Sequence, residues 1–154
     1  MHTKIFAIAL TTALTLLTTS GSNTKAQLPL SNTTNQSNLL AANPIYQVKN
    51  TSGQAEIALA KHLSKINAKM YGAFWCPHCG HQKELFGKQA VVYLKYFECD
   101  ARGTNPQTEL CKKAGVRAFP TWEINGKKYE GTFSLTDLAK LSGYKGRRDF
   151  KNLI

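Results

Sequence analysis

The chain has 154 residues, 42% of them apolar and 19% charged, which is enough to bury one core and too little for two. Twenty Lys and Arg against nine Asp and Glu give a formal charge of +11. That surplus favours solubility and anionic partners, but no arginine-rich helix, glycine-rich phosphate loop or zinc-finger spacing accompanies it. The basic surface is therefore read as solvated, and nucleic acid is excluded as a partner.

The chain opens with "MHTKIFAIALTTALTLLTTSGSNTKAQ", a positive start at Lys4 followed by an apolar run from Ile5 to Leu17. The run is shorter than the roughly 20 residues a spanning helix needs. It fits a secretory signal over residues 1–26, with an uncleaved N-terminal anchor as the alternative. Removing residues 1–26 takes away Lys4 and Lys25 and leaves a charge of +9. No cysteine follows the apolar run, so a lipoprotein anchor has no attachment atom. Residues 27–51 are rich in Asn, Ser, Thr and Gln without a sustained period and read as a flexible linker. Their Asn-X-Ser/Thr triplets at Asn32, Asn35 and Asn50 carry little weight, because such triplets are frequent in tracts of this composition.

A regular pattern begins at residue 52 and defines a domain over 52–144. Ile57, Ala60 and Leu63 recur at helical spacing. "AKMYGAFW" is short, apolar and aromatic, and reads as a buried strand. "PHCGHQKELFGKQA" reads as one helix with Leu85 and Phe86 on its inner face, and "VVYLKYFECD" as a second strand. "NPQTELCKKAG" reads as a helix capped by Asn105, with Pro106 in its first turn and Gly115 after its end. "PTWEINGKKYEG" is a pair of strands around Asn125-Gly126, a strong two-residue hairpin signal, with Trp122 and Tyr129 packing the hairpin. "SLTDLAKLSGY" starts with Ser134 and Asp137 at capping-box spacing and stops at Gly143. Residues 145–154 form a basic tail, read as loosely held. The order α, β, α, β, α, β, β, α gives an α/β class: a βαβ unit with parallel strands, then a β-hairpin and a closing helix.

Four cysteines lie beyond the signal, and an even number in an oxidising compartment suggests disulfides. Cys76 falls where the first strand meets the following helix, beside unpaired N–H groups and the positive end of the helix dipole. Both favour thiolate over thiol. A free cysteine titrates at about 8.5, and the first cysteine of such a pair can fall to roughly 3.5–7. Pro77 suits the first helical turn, His78 adds a donor or positive charge beside the sulfur, and Trp75 shields the rim. Cys79, three positions on, can close a small disulfide ring. A stabilised thiolate is a good leaving group, so the pair is expected to be oxidising, with an exposed Cys76 sulfur.

Cys99 and Cys111 would close a loop worth about 3 kcal/mol in the chain-entropy model. A structural disulfide is the main reading; an electron relay to Cys76 and Cys79, free thiols or a metal are the others. Zinc held by the cysteines with His78 and His81 is set aside, because the second pair lacks knuckle spacing. No metal and no cofactor are assigned. His81 and His62 read as surface residues.

"FWCPHC" followed by "FPTWEINGKKYEG" resembles the thioredoxin superfamily. The dipeptide in "CPHC" is that of DsbA-type oxidants. The order of "WCPHC", "ECD", "LC", "FPTWEINGK" and "LSGY" is similar to the thioredoxin-like domain of bacterial and plant-type vitamin K epoxide reductase homologues, over residues 66–144. The resemblance implies a thioredoxin-like fold and a thiol–disulfide oxidoreductase; the signal over residues 1–26 implies export, to a periplasm or thylakoid lumen, with tethering to the membrane by the N-terminal segment as the alternative. The resemblance also implies clients with cysteine thiols and a membrane, quinone-coupled, vitamin K epoxide reductase-like partner that recycles the pair. It further implies that Pro120 is a cis proline facing the pair and that Phe119 offers its backbone to a client. Met70 departs from the pattern: thioredoxins proper carry a buried acid there, so cytosolic-type reduction loses support. The alternatives are a reductase or isomerase of the same fold, and a noncatalytic basic binding module held by two disulfides.

Overall fold

A computed structural model describes residues 47–153. The signal read over 1–26 and most of the linker lie outside the described residues. In chain order the elements are α1 (Gln54–Lys65), β1 (Lys69–Gly72), α2 (Pro77–Phe86), α3 (Lys88–Val91), β2 (Lys95–Glu98), α4 (Thr108–Lys113), β3 (Thr121–Ile124), β4 (Lys127–Glu130) and α5 (Leu135–Leu141). The strands form one sheet in the order β2-β1-β3-β4. β1 and β2 run parallel, as a right-handed crossover through α2 requires, and β3 is antiparallel to both β1 and β4. The expected α/β class and strand pairing hold.

Two boundaries differ from the sequence reading. Residues 77–90 are two helices rather than one. Gly87, at φ +79, breaks the run, and the Thr51–Ser52 backbone sits where a Cβ at that position would point. The second strand begins at Lys95, not at Val91. Tyr93 and Leu94 donate their amides back to Ala90 and Val91, and Ala90, Val91 and Leu94 are buried in the main core. Packing overrides the β-propensity of that run. α4 likewise starts at Thr108 with Gln107 at its cap, because the Gln107 amide donates to the Glu98 carbonyl at 2.7 Å and ties the loop to β2. Asn105 instead takes a left-handed φ of +50. The hairpin turn is as expected, with Asn125 and Gly126 at φ +51 and +74, the positive pair a primed turn needs. Ser134 caps α5, its Oγ accepting from the Asp137 amide.

Strand alternation divides the core between the two faces of the sheet. On one face Met70, Trp122 and Ile124 pack with Leu59, Leu63, Phe86 and Leu138. On the other, Tyr71 packs with Cys99 and Cys111. Trp122 is fully buried against Phe86, and Tyr129 meets Phe133 edge-on.

Both ends of the described chain are tied to the domain. The Lys49 and Asn50 amides donate to Glu84, and Asn50 accepts from the Lys88 amide, so the ordered domain begins before residue 52. The tail read as loose is not so at Lys151 and Asn152, whose amides donate to the buried Glu56 carboxylate. A carboxylate removed from water needs such donors, which is the reason the tail docks. Among the described residues no helix is long and apolar enough to cross a membrane.

Candidate active site

β1 ends at Gly72, and a short turn delivers Cys76 to the N-cap of α2. Its amide donates to Ala73 O at 3.0 Å, and its Sγ accepts the Cys79 amide at 3.2 Å, using one of the donors a helix start leaves free. Pro77 occupies the first turn. Across from the pair, the Phe119–Pro120 bond is cis, and the Phe119 carbonyl lies 3.6 Å from Cys76 Sγ. Residues 43 positions apart thus converge on one sulfur.

Cys76 is only 3% exposed, against the expectation of an open sulfur. Its Sγ is turned back onto the helix start and toward Phe119. The rim beside it is exposed: Trp75 at 45%, with Pro77 and His78. Trp75 meets the Phe119 ring edge-on, and its indole N–H donates to Asp100 Oδ2 at 2.7 Å. Arg102 grips the same carboxylate with two side-chain nitrogens, at 2.9 and 2.7 Å. The hydrogen bonds from Arg102 hold the Asp100 carboxyl well below the usual carboxylate range.

Cys79 lies deeper, and burial pushes its thiol far above the ordinary cysteine value. Gly72 makes its room: a Cβ there would stand 2.8 Å from both Cys79 Sγ and the Tyr96 ring. Lys83, one helical turn beyond Cys79, is buried with its Nζ 3.6 Å from the centre of the Tyr96 ring. Burial moves this lysine's pKa downward. The Tyr96 hydroxyl donates to Glu98 Oε2 at 3.0 Å, and Glu98 is itself buried.

Cys99 and Cys111 are bonded to each other, with their Cα atoms 5.7 Å apart. They fasten α4 to the end of β2. His78 is exposed and its carbonyl accepts from Thr132 Oγ1; His81 is exposed; His62 is half-buried with Nε2 paired to Ser142 O at 3.0 Å. Among the described residues no three His, Cys, Asp or Glu side chains gather as a metal site.

No protein-family model matches the chain. Among curated proteins it is similar to thiol-disulfide oxidoreductase LTO1 of Arabidopsis thaliana, 46% identical over 101 residues that cover 64% of this chain and 27% of that protein. It is also similar to protein disulfide isomerase-like 2-2 of Oryza sativa subsp. japonica, 32% identical over 94 residues, covering 51% of this chain and 24% of that one. The fold is thioredoxin-like. This thioredoxin-like chain spans about a quarter of the length of these two relatives.

Sequence reasoning placed Cys76, Cys79, Phe119 and Pro120, and the fold brings them together. It missed Lys83, Tyr96, Glu98, Asp100 and Arg102. Two signals were present: Cys79 and Lys83 at i, i+4 share a helix face, and Tyr96 and Glu98 at i, i+2 share a sheet face. Which helix face meets which sheet face is a tertiary fact. Gln82 was missed as well. Fully buried, it accepts from the Trp122 indole and the Phe133 amide and donates to the Phe133 carbonyl, locking α2 beside the hairpin.

Proposed function

We propose that the chain is an exported thiol–disulfide oxidoreductase that introduces disulfides into client proteins. The observation that carries this reading is the Cys76 sulfur at the cap of α2, bonded by the Cys79 amide and opposite the Phe119 carbonyl. The names of the two relatives support the same chemistry. In the oxidised enzyme a client thiolate attacks Cys76 Sγ, the Cys76–Cys79 bond breaks and Cys79 leaves with the electron pair. A second client thiolate then attacks the client sulfur of the mixed disulfide, and Cys76 leaves. The client is oxidised by two electrons and the enzyme reduced by two. A membrane oxidoreductase of the vitamin K epoxide reductase type, coupled to a quinone, takes those electrons and restores the pair. Phe119 presents its backbone to an extended client segment, Trp75, Pro77 and His78 tune the pair, and Cys99–Cys111 is structural. The "CPHC" dipeptide and the buried Met70 in place of an acid favour the oxidising direction over reduction or isomerisation.

The reduction potential tests the direction. A value near −120 mV is expected for an oxidant, and one near −270 mV would reverse the assignment to a reductant. Cys79→Ser should trap clients and the recycling partner as mixed disulfides on Cys76.

The slight exposure of Cys76 favours a second reading, a noncatalytic basic binding module held by two disulfides, in which Cys76 is buried and unreactive. Alkylation of the folded, reduced chain separates the two. An enzyme reacts at Cys76 well before it unfolds, whereas the module reacts only as fast as it unfolds.

A further inference from the structure

We infer that Lys83 carries the proton of Cys79 during disulfide exchange and that Tyr96 and Glu98 hold it in place for that task. The inference rests on the oxidoreductase reading and assigns a residue to its buried half.

Cys79 must change protonation in every cycle. When a mixed disulfide on Cys76 is resolved, Cys79 gives up its proton, its sulfur bonds to Cys76 and the outgoing thiol leaves as a thiolate. In the opposite direction Cys79 departs as a thiolate and takes a proton back. Water reaches this sulfur poorly, since Cys79 is 1% exposed. A protein group must therefore exchange the proton or stabilise the charge. Thioredoxins proper use a carboxylate on the first strand, but Met70 stands there.

The groups that face Cys79 are few. From α2 come Cys76 and Lys83; from β2 come Tyr96 and Glu98; β1 contributes Gly72, which has no side chain, and the Ala73 backbone just after it hydrogen-bonds the sulfur and favours its charged form but cannot take its proton. Lys83 is on the Cys79 face by its i, i+4 spacing. Tyr96 and Glu98 reach the same side because alternate residues of a strand share a face, and β2 pairs with β1 so that Glu98 lies opposite Gly72. The Tyr96 ring lies under the Lys83 ammonium and beside the Cys79 sulfur, while its hydroxyl is fixed by Glu98. Glu98 is fixed in turn, accepting from Tyr96 on one oxygen and from the Asp100 amide on the other, with Gly103 closing over the carboxyl. Each member is placed by the next, so the amine is not free to swing away.

The environment also fits the chemistry. Burial disfavours the charged forms of both partners, raising the Cys79 thiol and lowering the Lys83 ammonium. The resting pair favoured by burial is therefore a neutral thiol beside a neutral amine, and an uncharged amine is free to accept the proton. Once transferred, the thiolate and ammonium form a pair in place of two isolated charges. The proton then leaves to solvent from Lys83, which retains 8% exposure.

The experiment isolates the resolving step. The full, reduced chain is treated with oxidised glutathione at low pH, so that Cys76 attacks its disulfide, keeps one glutathione and releases the other as a thiol; the adduct is then jumped to a series of pH values, and release of the second glutathione is timed. In Lys83→Met the release rate at neutral pH should fall about tenfold or more, and the midpoint of the rate–pH profile should rise by about one unit. Lys83→Arg keeps the charge but does not give up a proton below about pH 12, so it should also be slow. A profile for either variant that superimposes on the unsubstituted chain overturns the inference; should Lys83→Met not fold, Lys83→Arg decides alone. Failure of Cys76 to take up glutathione at all would instead defeat the oxidoreductase reading.

Discussion

Asp100 follows Cys99 in sequence and holds the rim of the candidate active site in space. Its carboxylate accepts from the Trp75 indole and is itself gripped by Arg102. Because those bonds depress its pKa, the charged form persists from neutral pH far into acid, and the latch should release only in strong acid. Asp100→Ala should free the indole and raise the alkylation rate of Cys76 by about fivefold, the effect of one lost hydrogen bond. Tm should fall only modestly, since the hydrogen bonds lost belong to the rim and not to the core. Tryptophan fluorescence would report the released indole, and an unchanged alkylation rate would show that the rim does not gate the sulfur. At this scale the cysteine pair was legible from a four-residue motif and its place at a helix start. Asp100 was not, because nothing local marks an acid 25 residues away as the partner of Trp75.

Between elements, Lys69 on β1 faces Glu123 on β3, with Nζ to Oε1 at 2.8 Å, and the Tyr71 hydroxyl donates to the other oxygen at 2.9 Å. The Lys69 hydrogen bond holds the Glu123 carboxyl below its ordinary value. The sign follows: a depressed carboxylate contributes stability that is complete above the unfolded value, about 4.3, and is lost as pH falls through the lower folded value. Lys69→Met should therefore lower Tm modestly at neutral pH, and the difference should vanish in acid once Glu123 is protonated in the folded chain. A difference that persists there would mean packing, not charge, is lost. The disulfide between β2 and α4 acts at the same scale. Its loop resembles one worth about 3 kcal/mol, so Cys99→Ser with Cys111→Ser should lower stability by roughly that amount. As a structural bond it should leave Cys76–Cys79 exchange with glutathione unchanged; slowed exchange would favour a relay. Element types were largely legible because periods of 3.6 and 2 are local. The break at Gly87 and the late start of β2 were not, since they follow from burial against other elements.

At the scale of the whole molecule, the two ends of the described chain meet. Thr51 accepts from Asn152 Nδ2, and Glu56 at the start of α1 accepts the Lys151 and Asn152 amides. Deleting residues 146–154 removes both these donors and the cover they give the Glu56 carboxylate, and should cost about 2 kcal/mol in chemical denaturation. The same deletion in a Glu56→Ala background should cost much less; equal costs would place the tail's contribution elsewhere.

The amino-acid sequence by itself determined the α/β order, the parallel and antiparallel pairings, the primed hairpin turn and a cysteine pair at a helix start. The element types, the turn and the cysteine pair depend on residues within a few positions of one another, and the pairings on the handedness rule for crossovers. The tertiary structure alone decided the depth of Cys76, the Lys83–Tyr96–Glu98 cluster beneath Cys79 and the docking of the tail. Those depend on which faces pack together, and periodicity labels a face as inward without naming what it will meet.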